Sequence, residues 1–433
     1  MKRALCVILV LLAALCCACR AKIAVTPFHE ITAAPEAPVA AQTAAPSPSP
    51  AEPAATDVAA PSPTPQAQSA TLGFVGDIMA MAVQITDAKT DAGYDFSRSF
   101  APMEDVFSSV DFLSGNFECT FAGEAAGWSE PKQTAPPATQ LNPTPKTPLQ
   151  RFNAPDALAY DLRAAGFDLL ATANNHCMDK GVEGLYRTAR IIRGAGMLQT
   201  GTYLDGADAA IPRVADINGI RVGFVAATTL INSGVPALTG EERKYAVARF
   251  DDMEKLEAAI AACRDAGAEF VIVLAHWGAE HSAVQAKAQE RLADALIEAG
   301  ADAIVGTHPH VAEPIEWRAG ERGGRTVRVP VAYSLGNFIS NMAQKNVSYG
   351  VFLRLTLARS PSGEVTCAAL AYLPLLCYRD GVHRVAPCFA DSTGEAAAAY
   401  AHVWKICSGE NIAVIKRGEL IHAREASIDQ GAQ

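Results

Sequence analysis

The chain has no run of lysine or arginine and no basic stripe, and its formal charge is −10. Recognition of a phosphate backbone needs clustered positive charge, so nucleic acid is excluded as a partner. A zinc ribbon and a disulfide framework are excluded too. Of the 11 cysteines, those beyond residue 19 are odd in number and none are spaced as CxxC. Pairing among Cys367, Cys377 and Cys388 stays open. A comfortable membrane span is also missing. The apolar run from Ala4 to Ala18 follows the basic pair Lys2-Arg3 and has the length of a signal-peptide core.

What is present divides the chain unevenly. Half of the residues are hydrophobic, which supports a large buried core. The apolar run ends in Cys16-Cys17-Ala18-Cys19. A cysteine directly after a signal core, behind a small residue, suits bacterial lipoprotein processing, which makes Cys19 the candidate lipidated residue. Cys16 stands where an aliphatic residue is usual, and a plain secretory signal is the alternative. The stretch to Ser69 is rich in Ala, Pro, Ser and Thr, with segments such as Pro-Ser-Pro-Thr-Pro. It cannot bury a core and favours extended chain. The expected organisation is a signal peptide over residues 1–19, a spacer over 20–69 and one folded domain over 70–433. The expected location is the extracellular face of a bacterial membrane, reached through the lipid, or otherwise secretion.

Within the folded part, Leu72–Val75 reads as a buried strand ending in Gly76-Asp77, and Val110–Leu113 leads in the same way to Asn116-Phe117-Glu118. A Pro/Thr/Gly-rich loop spans about Ala122 to Thr147. One pattern then recurs three times. Helical spacing over Ala157–Ala165, Leu256–Ala266 and Arg291–Ala299 stops each time at a glycine, Gly166, Gly267 or Gly300. An apolar strand follows each glycine. Strands alternating with helices predict α/β architecture with parallel pairing and helices outside.

The residues beyond these strands carry the chemistry. Asn174-Asn175-His176, His276-Trp277-Gly278 and His308-Pro309-His310 each follow an apolar strand, as do Asp77 and Glu118. In α/β sheets, ligands sit beyond the carboxyl ends of strands. The chain has nine histidines, and His176, His276, His308 and His310 all fall at such ends. Each feature alone is commonly a cap, a turn or a satisfied loop histidine. Together they are the nitrogen and oxygen donors that a divalent cation such as zinc, manganese, iron or nickel accepts. On an extended segment His308 and His310 point to one side, as adjacent ligands would.

The series Gly76-Asp77, Asn116-Phe117-Glu118, Ala173–Gly181, His276-Trp277-Gly278-Ala279-Glu280, Gly306–Val311 and Tyr333–Phe338 resembles the motif series of the CapA family, named as capsule or poly-γ-glutamate biosynthesis proteins. The resemblance covers about Thr71 to Pro387. That family in turn resembles the calcineurin-like metallophosphoesterases, which implies a double-sheet α/β/β/α sandwich with one or two metal ions (Mn, Zn or Fe) at an edge. Carried over by motif, Asp77 and His310 would bind a first ion and Asn175, His276 and His308 a second, with Glu118 bridging. His176 would face substrate as general acid or oxyanion stabiliser, with Asp179 orienting a neighbouring histidine. Asn174, Trp277 and Asn337 are the candidate substrate contacts, and Glu280 is expected to line the pocket. One departure stands out: Met79 occupies the position where such enzymes carry the histidine of Asp-x-His. The implied function is a metal-dependent hydrolase or transferase acting on an envelope polymer or its precursor. The alternative is an accessory part of a membrane synthesis and export complex.

Overall fold

The computed structural model describes residues 68–130, 150–232 and 238–420. The signal peptide, Cys19, nearly all of the spacer and most of the Pro/Thr/Gly-rich loop lie outside the described residues. Among the described residues no helix is long and apolar enough to cross a membrane, and the seven cysteines are unpaired.

In chain order the strands are β1 (Ser69–Ile78), the short hairpin β2–β3 (Lys89–Thr90, Gly93–Tyr94), β4 (Phe112–Phe117), β5 (Leu169–Ala171), β6 (Leu198–Thr200), β7 (Arg213–Ile217) and β8 (Ile220–Thr228). There follow β9 (Phe270–His276), β10 (Ala303–Thr307), β11 (Ile315–Arg322), β12 (Arg325–Ala332), β13 (Asn337–Ile339), β14 (Tyr349–Arg359), β15 (Val365–Tyr378), β16 (Arg384–Pro387) and β17 (Ile412–Val414). They form two large mixed sheets. One runs β16-β15-β14-β1-β4-β5-β6, with β13 also on β1 and β17 on β15; the other runs β11-β12-β10-β9-β8-β7.

The three expected helix-glycine-strand units are present. The helices Ala157–Ala165, Met253–Asp265 and Lys287–Glu298 lead into β5, β9 and β10, and Gly166, Gly267 and Gly300 all adopt positive φ. A left-handed residue there closes the last helical carbonyls at no steric cost. Pairing is parallel for β1/β4/β5/β6 and for β8/β9/β10/β12. Both edges of the second sheet and the β14–β15–β16 end of the first are antiparallel, because β7–β8, β11–β12 and β14–β15 are hairpins, which need no crossover.

The sheets stack face to face. Leu72, Phe74 and Phe112 of the first meet Phe224, Ile272 and Val305 of the second, and the Phe112 and Phe224 rings stack 5.0 Å apart. On the outer face of the first sheet, Leu113 and Leu170 pack under Phe107, Leu158 and Ile192 from helical segments. On the outer face of the second, Val271, Val273 and Ile304 pack under Leu256, Ile260 and Leu296. The layers are α/β/β/α, as the family resemblance implied.

Candidate metal centre

Side-chain alternation decides what reaches the site. In β9, Ile272 and Leu274 face the other sheet, and His276 continues that face. Val271 and Val273 face the helices, and Trp277 continues theirs. In β1 the register against β4 shifts between Val75 and Asp77. At that bulge a Cβ on Gly76 would lie 1.8 Å from the Gly336 carbonyl oxygen, so only glycine fits. Asp77, re-aimed by the bulge, lies in register with Asn116 and with Asn337.

The first sheet thus delivers Asp77, Glu118 and the Asn174–His176 segment, and the second delivers His276, His308 and His310. All are buried. Asp77 Oδ2 is 3.2 Å from His310 Nδ1, and Glu118 Oε1 is 3.7 Å from His310 Nε2. The His276 and His308 rings lie 4.7 Å apart, and His276 Nε2 lies 2.9 Å from Asn175 Oδ1. Ligand atoms of Asp77, Glu118 and His310 fall within 4.8 Å of one another; so do those of Glu118, His276 and His308, and those of Glu280, His308 and His310. Glu118 is common to the first two sets.

His308 and His310 come together by another route than the expected one. Their segment is a turn, not a strand, with φ of +99° and +60°. Non-glycine residues hold such angles only when the surroundings impose them. The His308 N–H donates to Asp77 Oδ2 at 3.3 Å, which ties this turn to the first sheet.

The three expected substrate contacts are corrected. Trp277 has no exposed surface; it lies in the outer core against Phe250 and donates Nε1–H to the Tyr333 carbonyl at 2.9 Å. Asn174 is fully buried; it donates to the Phe117 carbonyl at 2.8 Å and accepts the His176 N–H at 3.1 Å, so it shapes the loop. Asn337 is fully buried too. Its Oδ1 lies 3.0 Å from His310 Nδ1 and its amide donates to the Val347 carbonyl, so it orients His310. Asn116, given no role from the sequence, donates to Asp77 Oδ1 at 2.8 Å. Its register opposite Asp77 is visible only once the strands are paired.

His176 keeps slight exposure at the rim. Its Nδ1 lies 2.6 Å from Asp179 Oδ2, which also accepts the Phe152 N–H. Its Nε2 faces inward, 3.9 Å from Glu118 Oε1 and 3.4 Å from Asn232 Nδ2.

Burial and close neighbours of like charge set the electrostatics of the cluster. Burial, then the Asp77 carboxylate, pushes Glu118 well above the ordinary carboxylate range. Burial and the neighbouring imidazoles hold His276 well below the usual histidine value. Burial and His310 pull His308 down to about 4, against the opposing pull of Asp77 and Glu280. Burial also lowers His310, but the hydrogen bond and charge of Asp77 outweigh it and hold its pKa up. Both carboxylate oxygens of Glu118 and Nδ1 of His308 are buried without a hydrogen-bond partner. Unpaired buried groups of this kind are costly, and a divalent cation satisfies them. The donor set fits a metal ion.

The chain is similar in sequence to proteins of other bacteria. The chain is 28% identical over 276 residues to the capsule biosynthesis protein CapA of Bacillus anthracis, which covers 63% of this chain and 60% of that protein. It is 28% identical over 303 residues to the PGA biosynthesis protein CapA of Bacillus subtilis (strain 168), with 68% and 70% covered. It is 30% identical over 181 residues to a Mycobacterium tuberculosis protein named as a probable polyglutamine synthesis accessory protein, with 40% and 44% covered. Among solved structures, NAD nucleotidase of Haemophilus influenzae superposes with a TM-score of 0.41 at 11% identity, over 84% of this chain and 60% of that one. The model of the bacterial capsule synthesis protein PGA_cap matches residues 71–342, and the chain belongs to that family.

Proposed function

We propose that the protein is a metal-dependent hydrolase or transferase of an envelope polymer, capsule or poly-γ-glutamate, held at the outer face of the membrane by a lipid on Cys19. Its relatives' names support the polymer, and the signal-like start and Pro-rich spacer support the tether. The observation that carries the enzymatic reading is His176. Asp179 takes its Nδ1–H, which fixes the tautomer and presents Nε2 to the site. Asp87 holds buried His383 in the same way far from the cluster, so it is the place of His176 that supports the reading: its Nε2 faces the ligand cluster, 3.9 Å from Glu118 Oε1.

Asp77, Glu118 and His310 would hold one cation, and Glu118, Asn175, His276 and His308 a second. When bound, such a cation polarises a substrate oxygen and acidifies water. His176 then gives or takes the proton of the reacting group at Nε2 while Asp179 balances the imidazolium. Asn232 borders the same nitrogen and helps to position substrate. Polymer precursors and membrane synthesis or export proteins are the expected partners.

The accessory-subunit reading has one observation in its favour: Met79, buried beside Asp77, is a poor ligand where a histidine would complete the first ion. A single experiment separates the two. Metal content of the purified protein is measured together with hydrolysis of poly-γ-glutamate and of an aryl phosphodiester, with and without Mn2+. His176→Ala should keep its metal and lose turnover by roughly 10²–10⁴-fold. Bound metal with no turnover of either substrate in the unaltered protein would favour the accessory role.

A further inference from the structure

The turn after β9 carries a carboxylate, Glu280, that the ligand set above leaves aside. Three contacts fix that turn. Trp277 is sunk in the core, and its backbone N–H donates to the Thr307 carbonyl at 3.1 Å. Gly278 has φ +95°, and a Cβ there would come within 2.8 Å of the Gln289 amide nitrogen. That amide donates to the buried Glu313 carboxylate at 2.7 Å, so it cannot swing away freely. His281 donates its backbone N–H to the Pro309 carbonyl at 2.7 Å, which clamps the turn onto the segment bearing His308 and His310. The result is a carboxylate oxygen within 4.8 Å of ring nitrogens of both histidines, on the solvent side of the cluster.

Charge gives this placement a purpose. Asp77 and Glu118 supply two negative charges, enough to balance one divalent cation, and Met79 supplies no charge and no hard donor. We propose that Glu280 is a metal ligand of this centre, closing its solvent side and adding a third carboxylate to the donor set. The proposal rests on the metal-centre reading above. It also gives Trp277, Gly278, Gln289 and Glu313 a shared purpose, which is to hold the turn where Glu280 reaches the histidines.

Mn2+ alone is the probe. Binding to the full chain is followed by calorimetry and by the electron paramagnetic resonance of free Mn2+, at low and at high NaCl, for the unaltered protein, Glu280→Gln and Glu280→Asp. Glu280 is exposed, so both variants should keep the melting temperature of the metal-free protein. The expected result is that Glu280→Gln weakens one Mn2+ site by roughly tenfold or more at both salt concentrations. Glu280→Asp, with its carboxylate withdrawn by a methylene, should weaken it as well. Glu280→Gln binding Mn2+ as tightly as the unaltered protein would overturn the proposal and leave the centre standing. A defect that high salt abolishes and Glu280→Asp repairs marks a screened surface charge, and overturns it too. No Mn2+ binding by the unaltered protein would remove the centre itself. The side chain of His281 lies 3.8 Å from Glu280; His281→Ala should leave Mn2+ affinity in place, since the clamp on Pro309 uses the backbone.

Discussion

His276 closes β9 and His308 follows β10, and although many residues separate them in sequence their rings meet at 4.7 Å. If both hold the same ion, the loss of either removes it. His276→Ala and His308→Ala should then each abolish tight metal binding, and the double variant should be little worse than either alone, because ligands of one ion act as a unit. Metal content by elemental analysis checks this, and additive partial losses would place the two histidines on different ions. The identities of these residues were legible in the sequence because strand ends in α/β sheets present ligands. The roles of the buried amides were not. Asn174 and Asn337 look like substrate contacts in a linear sequence, yet both spend their hydrogen-bonding groups on the backbone and on a histidine. Trp277 was misplaced for a simpler reason: on a strand the residue after an inward histidine faces outward.

The turn between β9 and the helix Lys287–Glu298 depends on Glu313, and that dependence is sensitive to pH. Burial raises the Glu313 pKa to about 7, and the hydrogen bond from Gln289 only partly offsets it. A carboxyl whose folded pKa exceeds its unfolded value stabilises the fold fully below the unfolded pKa, near 4.5. That contribution is lost as pH rises through about 7, because the folded state must then bury a charge or take up a proton. Glu313→Gln keeps an oxygen for Gln289 and cannot ionise. Relative to that variant, the unaltered protein should lose up to about 3 kcal/mol of stability between pH 4.5 and 8. Denaturant unfolding in chelator at the two pH values checks it, and parallel pH profiles would refute the assignment. At this scale the helix-glycine-strand units were readable, since a glycine at a helix end has one conformational use. The long β14–β15 hairpin was not, and neither was the division of parallel strands between two sheets. Apolar strands buried on both faces carry no mark of their neighbours.

At the scale of the whole molecule, the centre is the place where the two sheets are joined by chemistry as well as by packing. Asp77 and Glu118 belong to the first sheet, and His276, His308 and His310 to the second, so an ion held by both groups would tie the two sheets together. Without an ion, the same edge holds Glu118 and His308 atoms that lack partners and carboxylates close to one another. An ion that binds the folded chain and not the unfolded one stabilises by mass action, by about 2.7 kcal/mol at a hundredfold excess over its dissociation constant. Mn2+ should therefore raise the melting temperature by several degrees over the value in chelator, at roughly 2–4 °C per kcal/mol for a domain of moderate size. His308→Ala should lose that rise, because it removes a ligand. His176→Ala should keep it, because its partners are Asp179 and, in the proposed reaction, substrate. Calorimetric scans of the three proteins with Mn2+ and with chelator give six melting temperatures. A rise that vanishes in His176→Ala as completely as in His308→Ala would make His176 a ligand and leave the proposed reaction without its proton carrier. A melting temperature indifferent to Mn2+ in all three would mean that no such ion ties the two sheets, leaving packing and direct hydrogen bonds such as His308 N–H to Asp77 to hold them.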